Sequence, residues 1–486
     1  MQRSTLLALT LSTLLALAAC APQQGAVAPT QPAAAPPSTA EAAPPSQATQ
    51  PTEAPQPATA PTEPTATPSG PAIPQMQPKG GIRKSSSNYK GKLSLWVLGY
   101  TPGNQFATPF DLAVAQFEAD NPDIDVEIIG YPPNDEGFTK LTTALQTGQG
   151  IDVLRLPSDR LPAFVEDDLI APIDEYLTEA DKADYFPGTL EAVRIKDGKA
   201  YAWPLWVVPM GMYLNLDVFK EANVPLPSKD WTWDEFVETA KKLTFKRANG
   251  EQVYGFAGFI DAGVINTWGL WMNEDPSVRP VVNGKFGFNN EKTAAALKRF
   301  AELALVHKVT PPDFGALKDA DVKGGFKSGQ YAMVVDATGF SPQLKKDGIN
   351  FAIYPLPSYN GNRLTVGAIG LIAVAATNDK EKERAAMDLA RYLTSAEVQE
   401  DVPPSETAAT GFYLAPAARR SVKVAPPLDE FVPMLDYMWI TPLTPAWPKL
   451  TRLFHTEYQN IIFGKADPAE AMARIAPEAD ALLAQP

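Results

Sequence analysis

Flat aromatic rings and carboxylates are the side chains of this sequence best equipped for chemistry, while nucleophiles and metal ligands are scarce. Nine tryptophans and 56 acidic residues stand against two histidines, His307 and His455, and one cysteine, Cys20. Soft ligands so few and so far apart nearly exclude a Cys/His metal site. No G-x-S-x-G elbow, H-E-x-x-H pair or G-x-x-x-x-G-K-[ST] loop occurs. Asp313-Phe314-Gly315 spells a kinase triplet, but without the glycine-rich and catalytic loops that give the triplet a role. Gly148-x-Gly150 follows a helical pattern rather than a strand, so it is no dinucleotide fingerprint. Binding without a cofactor is the expected chemistry. Many tryptophans fall in expected loops. Trp268 and Trp271 are three apart and share a face if helical, with at least one serving as core. Tyr131 closes a strand before two prolines and could line a rim. Asp336 ends another strand, where α/β proteins usually bind ligands. A plain turn role is the alternative for Asp336.

The elements that must position these residues are readable from periodicity. Leu93 to Leu98 (LSLWVL) suits a strand buried on both faces. Phe110, Val114 and Phe117 follow helical spacing, stopped by Asn121-Pro122. Ile124, Val126 and Ile128 alternate with Asp125 and Glu127 as a half-buried strand. Phe138, Leu141 and Leu145 repeat the helical period, with Gly148 as a stop. Asp152 to Leu156 is a third strand. This β-α-β-α-β order implies a parallel sheet covered by helices. A second region follows Trp203-Pro204. Thr232 and Glu235 form a capping box, and Trp231 and Phe236 stand where a hydrophobic staple would close. Leu297, Phe300, Ala301, Ala304 and Leu305 mark an amphipathic helix. Tyr331 to Val335 and the apolar run Thr365 to Ala376 read as strands. A long helix is expected from Asn378 to Thr394, and the chain after Asp429 is aromatic-rich, then helical. Residues 90 to 486 are long enough to split into more than one core.

The N-terminus carries address signals. Arg3 precedes the apolar run Leu6 to Ala19, too short to span a bilayer, which takes about 20 apolar residues. It reads as a secretory signal. Leu17-Ala18-Ala19-Cys20 is similar to the bacterial lipobox, which implies cleavage before Cys20 and lipidation there. Residues 21 to 78 hold 16 prolines, no aromatic residue and only Glu41, Glu53 and Glu63 as charges. Such a stretch cannot bury enough apolar surface to order itself. Proline favours an extended form of about 3.1 Å per residue, so a semi-stiff tether is expected. Formal net charge is −14, with pI near 4.8. That disfavours nucleic acid, whose phosphates need a basic face, and broad contact with anionic lipid.

The order of segments resembles the bacterial extracellular solute-binding proteins that include maltose-binding protein, the capture subunits of ABC sugar importers. LSLWVL, FEADNPDIDVEII and DVLRLPSDRLPAFVEDDLIAPIDEYL resemble the family's first strands and helices. GKAYAWPLWVVPMGMYLNLDVFKEANV resembles the crossing between lobes. GFKSGQYAMVVD, YPLP and TVGAIGLIAVAATN resemble the return, and GFYLAPAARRS the loop after the second-lobe helices. The resemblance covers residues 90 to 486. It implies an α/β, two-lobed periplasmic-binding-protein fold (type II-like), each lobe a mostly parallel sheet flanked by helices, joined by hinge strands. The expected division is 1–19 signal peptide; 20–89 lipidated Cys20 and tether; 90–207 plus 369–425 first lobe; 212–366 plus 428–486 second lobe.

What the resemblance implies for function is capture of a sugar between the lobes by hinge closure, without catalysis, and delivery to ABC permease subunits. The chain would be a monomer, held by lipid on Cys20 to the outer face of the cell membrane. Ala21 is not the aspartate that resembles an inner-membrane retention signal, which leaves either membrane of a two-membrane cell open. In this family Asp159 and Arg160 match sugar-contacting positions, with helix capping by Asp159 or Ser158 as the alternative. Of the crossover tryptophans Trp203 and Trp206, Trp206 is expected to face the cleft unless it packs at the hinge. A C-terminal tryptophan stacks on sugar in relatives; Trp439 and Trp447 are the candidates, Trp447 aligning better. Gly367 resembles a hinge glycine. The family often has a Gly-Pro-Trp-like turn where this chain has Asp336-Ala337-Thr338-Gly339-Phe340, so Phe340 takes the aromatic role displaced by one. Rings would cover the C–H faces of a sugar and carboxylates accept from its hydroxyls. A secreted glycoside hydrolase or lyase would need a pair of opposed carboxylates. A binding protein for another solute is the third reading; Arg155 and Arg160 near the cleft keep an anionic one open.

Overall fold

The computed structural model describes residues 84–102, 108–148, 150–260, 265–401 and 415–485. All lie in the compact unit from Gly70 to Pro486. The signal segment, Cys20 and most of the tether lie outside the described residues.

One mixed sheet runs through the molecule. The strands Gly91–Leu98, Ile124–Tyr131 and Val153–Pro157 pair in parallel, in the order second, first, third. The helices Thr108–Asp120 and Asp135–Thr147 connect them, so the β-α-β-α-β reading holds. Gly148 ends the second helix in a left-handed conformation, and its N–H bonds the last-turn carbonyls of Ala144 and Leu145. Thr365–Val374 then joins the third strand antiparallel, and the 13-residue strand Trp203–Asn215 joins Thr365–Val374 antiparallel. The far half of Trp203–Asn215 pairs antiparallel with Met333–Ala337 and Phe351–Tyr354. The sheet is therefore mixed where a mostly parallel one was expected. In each half one long strand runs against the local strands it pairs with: Thr365–Val374 against Val153–Pro157 in one, Trp203–Asn215 against Met333–Ala337 and Phe351–Tyr354 in the other.

The apolar side chains sort into two clusters. One gathers Leu93, Phe117, Val153, Leu205, Leu371 and Leu393 with their neighbours. The other gathers Tyr213, Trp231, Phe256, Trp271, Phe300, Val335 and Phe454. Along Trp203–Asn215 the change of cluster falls between Val207 and Met210; along Thr365–Val374 it falls between Val366 and Ile369. The short strand Met438–Ile440 pairs parallel to Thr365–Gly367 and is shared between the clusters. Its alternate side chains point to opposite faces: Met438 and Ile440 pack in the first cluster and Trp439 against the second. These two cores, joined by three crossing strands, are the two lobes of the fold.

Local signals explain most of the second lobe. Thr232 caps Trp233–Lys242 through a full capping box with Glu235, and the staple rings Trp231 and Phe236 meet edge to face at 5.6 Å. The strand expected at Tyr331 runs Met333–Ala337 instead, because Tyr331 is taken by a single bridge to Tyr254. Helix Glu291–Leu305 buries Leu297, Phe300 and Ala301, but Leu305, at its last turn, faces solvent.

Candidate functional site

The C-terminal ends of the three parallel strands form one wall of the junction, the place where α/β sheets present ligand groups. Tyr131 is the last residue of its strand. Its hydroxyl donates to the Arg155 carbonyl at 2.8 Å, and its ring lies 6.2 Å from both Trp96 and Phe138. Burial pushes its phenol well above the ordinary value. Tyr131 thus supports the wall from behind. Asp159 and Arg160 follow the third strand in a short 3-10 turn, Ser158–Arg160. The helix Leu161–Glu166 begins with no side-chain cap, so neither Ser158 nor Asp159 is spent on capping. Both Asp159 and Arg160 are roughly half exposed, their charged ends 3.7 Å apart, and the Arg160 guanidinium lies 4.4 Å from the Phe138 ring centre.

Trp206 lies on the crossing strand opposite Gly370 and is almost wholly buried. A Cβ on Gly370 would fall 2.1 Å from the indole, so only glycine lets the ring settle there. The Arg155 guanidinium sits 4.7 Å from the centre of the same ring. The indole is packed at the crossover, against the guanidinium that the third strand supplies.

The second lobe supplies a relay of rings. Trp439 is half-buried and meets Trp447 at 6.3 Å; Trp447 meets Trp268 at 5.9 Å; Trp268 meets Trp271 at 5.6 Å. Only Trp439 reaches solvent appreciably. Trp447 is 8% exposed, and Trp268 and Trp271 are enclosed by Phe288, Phe454 and Tyr458. The shared face of Trp268 and Trp271 therefore looks into the core. Phe340 is likewise enclosed, meeting Tyr213 at 5.2 Å and Phe326 at 5.6 Å edge to face. Asp336 does end its strand, but it is buried: one oxygen accepts from the Ala337 N–H at 2.7 Å and the other lies 3.6 Å from the Lys323 ammonium. Desolvation outweighs that cation and lifts the carboxyl to about 6.

Gly367 sits where three strands meet, paired with Pro209 and with Ile440. A Cβ there would come 2.6 Å from the Val208 carbonyl oxygen and 2.9 Å from the Met438 sulfur. The next pair along, Val208 and Ala368, is the partly open stretch of the two strands.

The structure thus brings Tyr131, Asp159, Arg160 and Trp206 to the first-lobe wall, and Trp439, Trp447 and Trp268 into one row ending at the shared strand. Trp271, Asp336 and Phe340 sit deeper in the second lobe. Sequence reasoning missed Phe138 as the platform under Arg160, because helical spacing marked it only as a core position. It also missed Trp96, whose indole donates to the Gly150 carbonyl at 2.6 Å. Two surface cavities lie elsewhere, each within one lobe: about 550 Å³ beside Trp233, Arg299 and Tyr359, and about 840 Å³ beside Tyr176, Tyr201 and Arg384. Neither holds a candidate residue. Among the described residues no group of three or more His, Cys, Asp or Glu side chains could hold a metal ion. No helix there is long and apolar enough to cross a membrane.

Comparison with known proteins places this architecture. A binding protein of Brucella abortus is 27% identical over 418 residues, spanning 82% of this chain and 95% of that protein. The sn-glycerol-3-phosphate-binding periplasmic protein of Rhizobium meliloti is 23% identical over 351 residues, 65% of this chain and 76% of its own. Among solved structures, the sugar-binding protein MalE of Xanthomonas citri superposes with a TM-score of 0.67 at 22% identity, over 81% of this chain and 97% of that one. The sequence signature of one family spans residues 113–415, well over half of the chain, and by it the chain belongs to the bacterial extracellular solute-binding proteins.

Proposed function

We propose that this protein captures a polyhydroxylated solute, a sugar or short sugar oligomer, between its lobes and presents it to an ABC permease without altering it. The reading takes residues 90–207 plus 369–425 as one lobe and 212–366 plus 428–486 as the other. It takes Cys20 as the lipidated anchor holding a monomer to the outer face of the cell membrane, with residues 20–89 as tether. One observation carries it. At the strand shared by the two cores, half-buried Trp439 offers a ring backed by Trp447 and Trp268, while the first-lobe wall offers the exposed Asp159–Arg160 pair. A ring for C–H faces and a charged donor–acceptor pair for hydroxyls is the equipment a sugar needs. Names of similar proteins support it: one binds sugar, another glycerol 3-phosphate. Closure follows if the solute touches both lobes at once, since only the closed form then gains both sets of contacts.

Isothermal titration of the full chain against a sugar panel, with product analysis of the mixtures, tests the reading. At least one sugar is expected to bind and to be recovered unchanged. Trp439→Ala should weaken that binding by about tenfold or more, at little cost in melting temperature. Chemically altered sugar, or an affinity indifferent to Trp439→Ala, would count against it.

A further inference from the structure

The first-lobe wall carries three cations, each seated on an aromatic ring. The Lys140 ammonium lies 5.4 Å from the Trp96 ring centre, Arg155 lies 4.7 Å from Trp206, and Arg160 lies 4.4 Å from Phe138. The rings themselves are linked, since Tyr131 stands 6.2 Å from both Trp96 and Phe138 and its hydroxyl donates to the carbonyl of Arg155. In a chain of formal net charge −14 this is a local reversal of sign.

Arg160 is the member poised to act. Its side chain is 46% exposed, and it makes no hydrogen bond among the described residues. Among the described residues its one ionic contact runs from Nε to Asp159 at 3.7 Å, beyond hydrogen-bond range. A guanidinium lying over a ring keeps its N–H groups in its own plane, pointing past the ring edge. Phe138 therefore orients the fork without consuming any of its donors. Two parallel N–H bonds from such a fork match the oxygens of a carboxylate or phosphate. An uncharged sugar needs donors and acceptors in balance; among the described side chains this wall sets three cations against the exposed acids Asp159 and, on the helix of Lys140, Glu136.

Resting on the reading above, we infer that the captured solute carries an acidic group, a carboxylate or a phosphate, on its polyhydroxylated body. Arg160 receives that group, and Arg155 and Lys140 add positive field from the flanking rings.

The full chain should be titrated, at low and high salt, with uncharged sugars, with the matching uronic acids and with the matching sugar phosphates. One acidic class is expected to bind at least about tenfold tighter than its uncharged counterpart, with the preference shrinking as salt rises. Arg160→Gln should abolish the preference and Arg160→Lys should keep part of it; because Arg160 is exposed, both variants should melt like the parent. The carboxylate and phosphate arms identify which acid is read. An uncharged sugar binding as tightly as its acidic partners, or a preference that survives Arg160→Gln, overturns the inference and leaves sugar capture standing. Failure of every sugar, acid and phosphate to bind overturns both.

Discussion

Asp336 shows how a residue chosen for its place in the sequence acquires a different role in the fold. A strand end predicts an exposed carboxylate; this one is buried, with a single backbone hydrogen bond and an ammonium at 3.6 Å. Burial is the largest influence on it, ahead of the Lys323 charge, and raises the carboxyl from the ordinary 3.8 to about 6. Because the folded value lies above the unfolded one, the group contributes stability that is fully present below about pH 4. That contribution is lost as pH rises through 6. Two pH steps correspond to about 3 kcal/mol at most. Asp336→Asn removes the charge and leaves Lys323 its closer partner, Asp319, at 2.7 Å. The variant should therefore be more stable than the parent at pH 7.5, by roughly 1–3 kcal/mol, with the gap closing toward pH 4. Urea denaturation of both proteins at several pH values measures the gap. A gap that is absent at pH 7.5, or constant from pH 4 to 7.5, would show that the fold does not raise the Asp336 carboxyl.

At the scale of elements, the helix Lys380–Leu393 does more than cover the sheet. It clasps the chain where that chain enters the first lobe. The Ser85 hydroxyl and both the N–H and hydroxyl of Ser86 donate to one oxygen of Asp388, at 2.9, 2.7 and 3.0 Å. Two turns earlier, the Ser87 hydroxyl and the Asn88 N–H donate to the Glu381 carboxylate at 2.9 and 2.8 Å. Bonds to a carboxylate are about twice as strong as neutral ones. Asp388→Asn should speed hydrogen exchange at the Ser86 amide by about tenfold, while the amides within Lys380–Leu393 keep their protection; unchanged exchange at Ser86 would mean the clasp holds nothing. This contact also marks where sequence reading stops. The helix itself was legible from its period, as were the capping box at Thr232 and the parallel order of the first three strands, because those signals are local. The clasp joins residues 303 positions apart, and nothing near Ser85 announces Asp388. The candidate binding residues divide the same way. Asp159, Arg160 and Trp439 could be named from the family's order of segments. That Trp268 and Trp271 face inward depends on Phe288, Phe454 and Tyr458, which meet them only after the chain has folded back.

For the whole molecule the decisive feature is what joins the two cores among the described residues: two long antiparallel strands, the short strand Met438–Ile440, and the 3-10 segment Leu428–Tyr437 before it, whose Phe431 packs in the second core and Leu435 in the first. Gly367 lies where all three strands meet, and even a Cβ there would press on the Val208 carbonyl oxygen and the Met438 sulfur. Gly367→Val would force the strands apart, an overpacking cost of about 1–3 kcal/mol. If closure is a rotation about these strands, the same bulk should also oppose the closed form. Small-angle scattering should then show the parent contracting with saturating solute and the variant contracting less, with weaker affinity. Gly325→Ala is the control, since its added methyl would meet the Tyr331 ring at 2.2 Å, inside the second core and on the helix Asp319–Lys327 rather than on a crossing strand. Both variants lose stability, but only a change at the joint should alter contraction. Equal contraction in the parent and in Gly367→Val would make Gly367 a packing glycine and move the pivot elsewhere. Reduced contraction in both variants would trace the loss to general destabilisation rather than to the crossing.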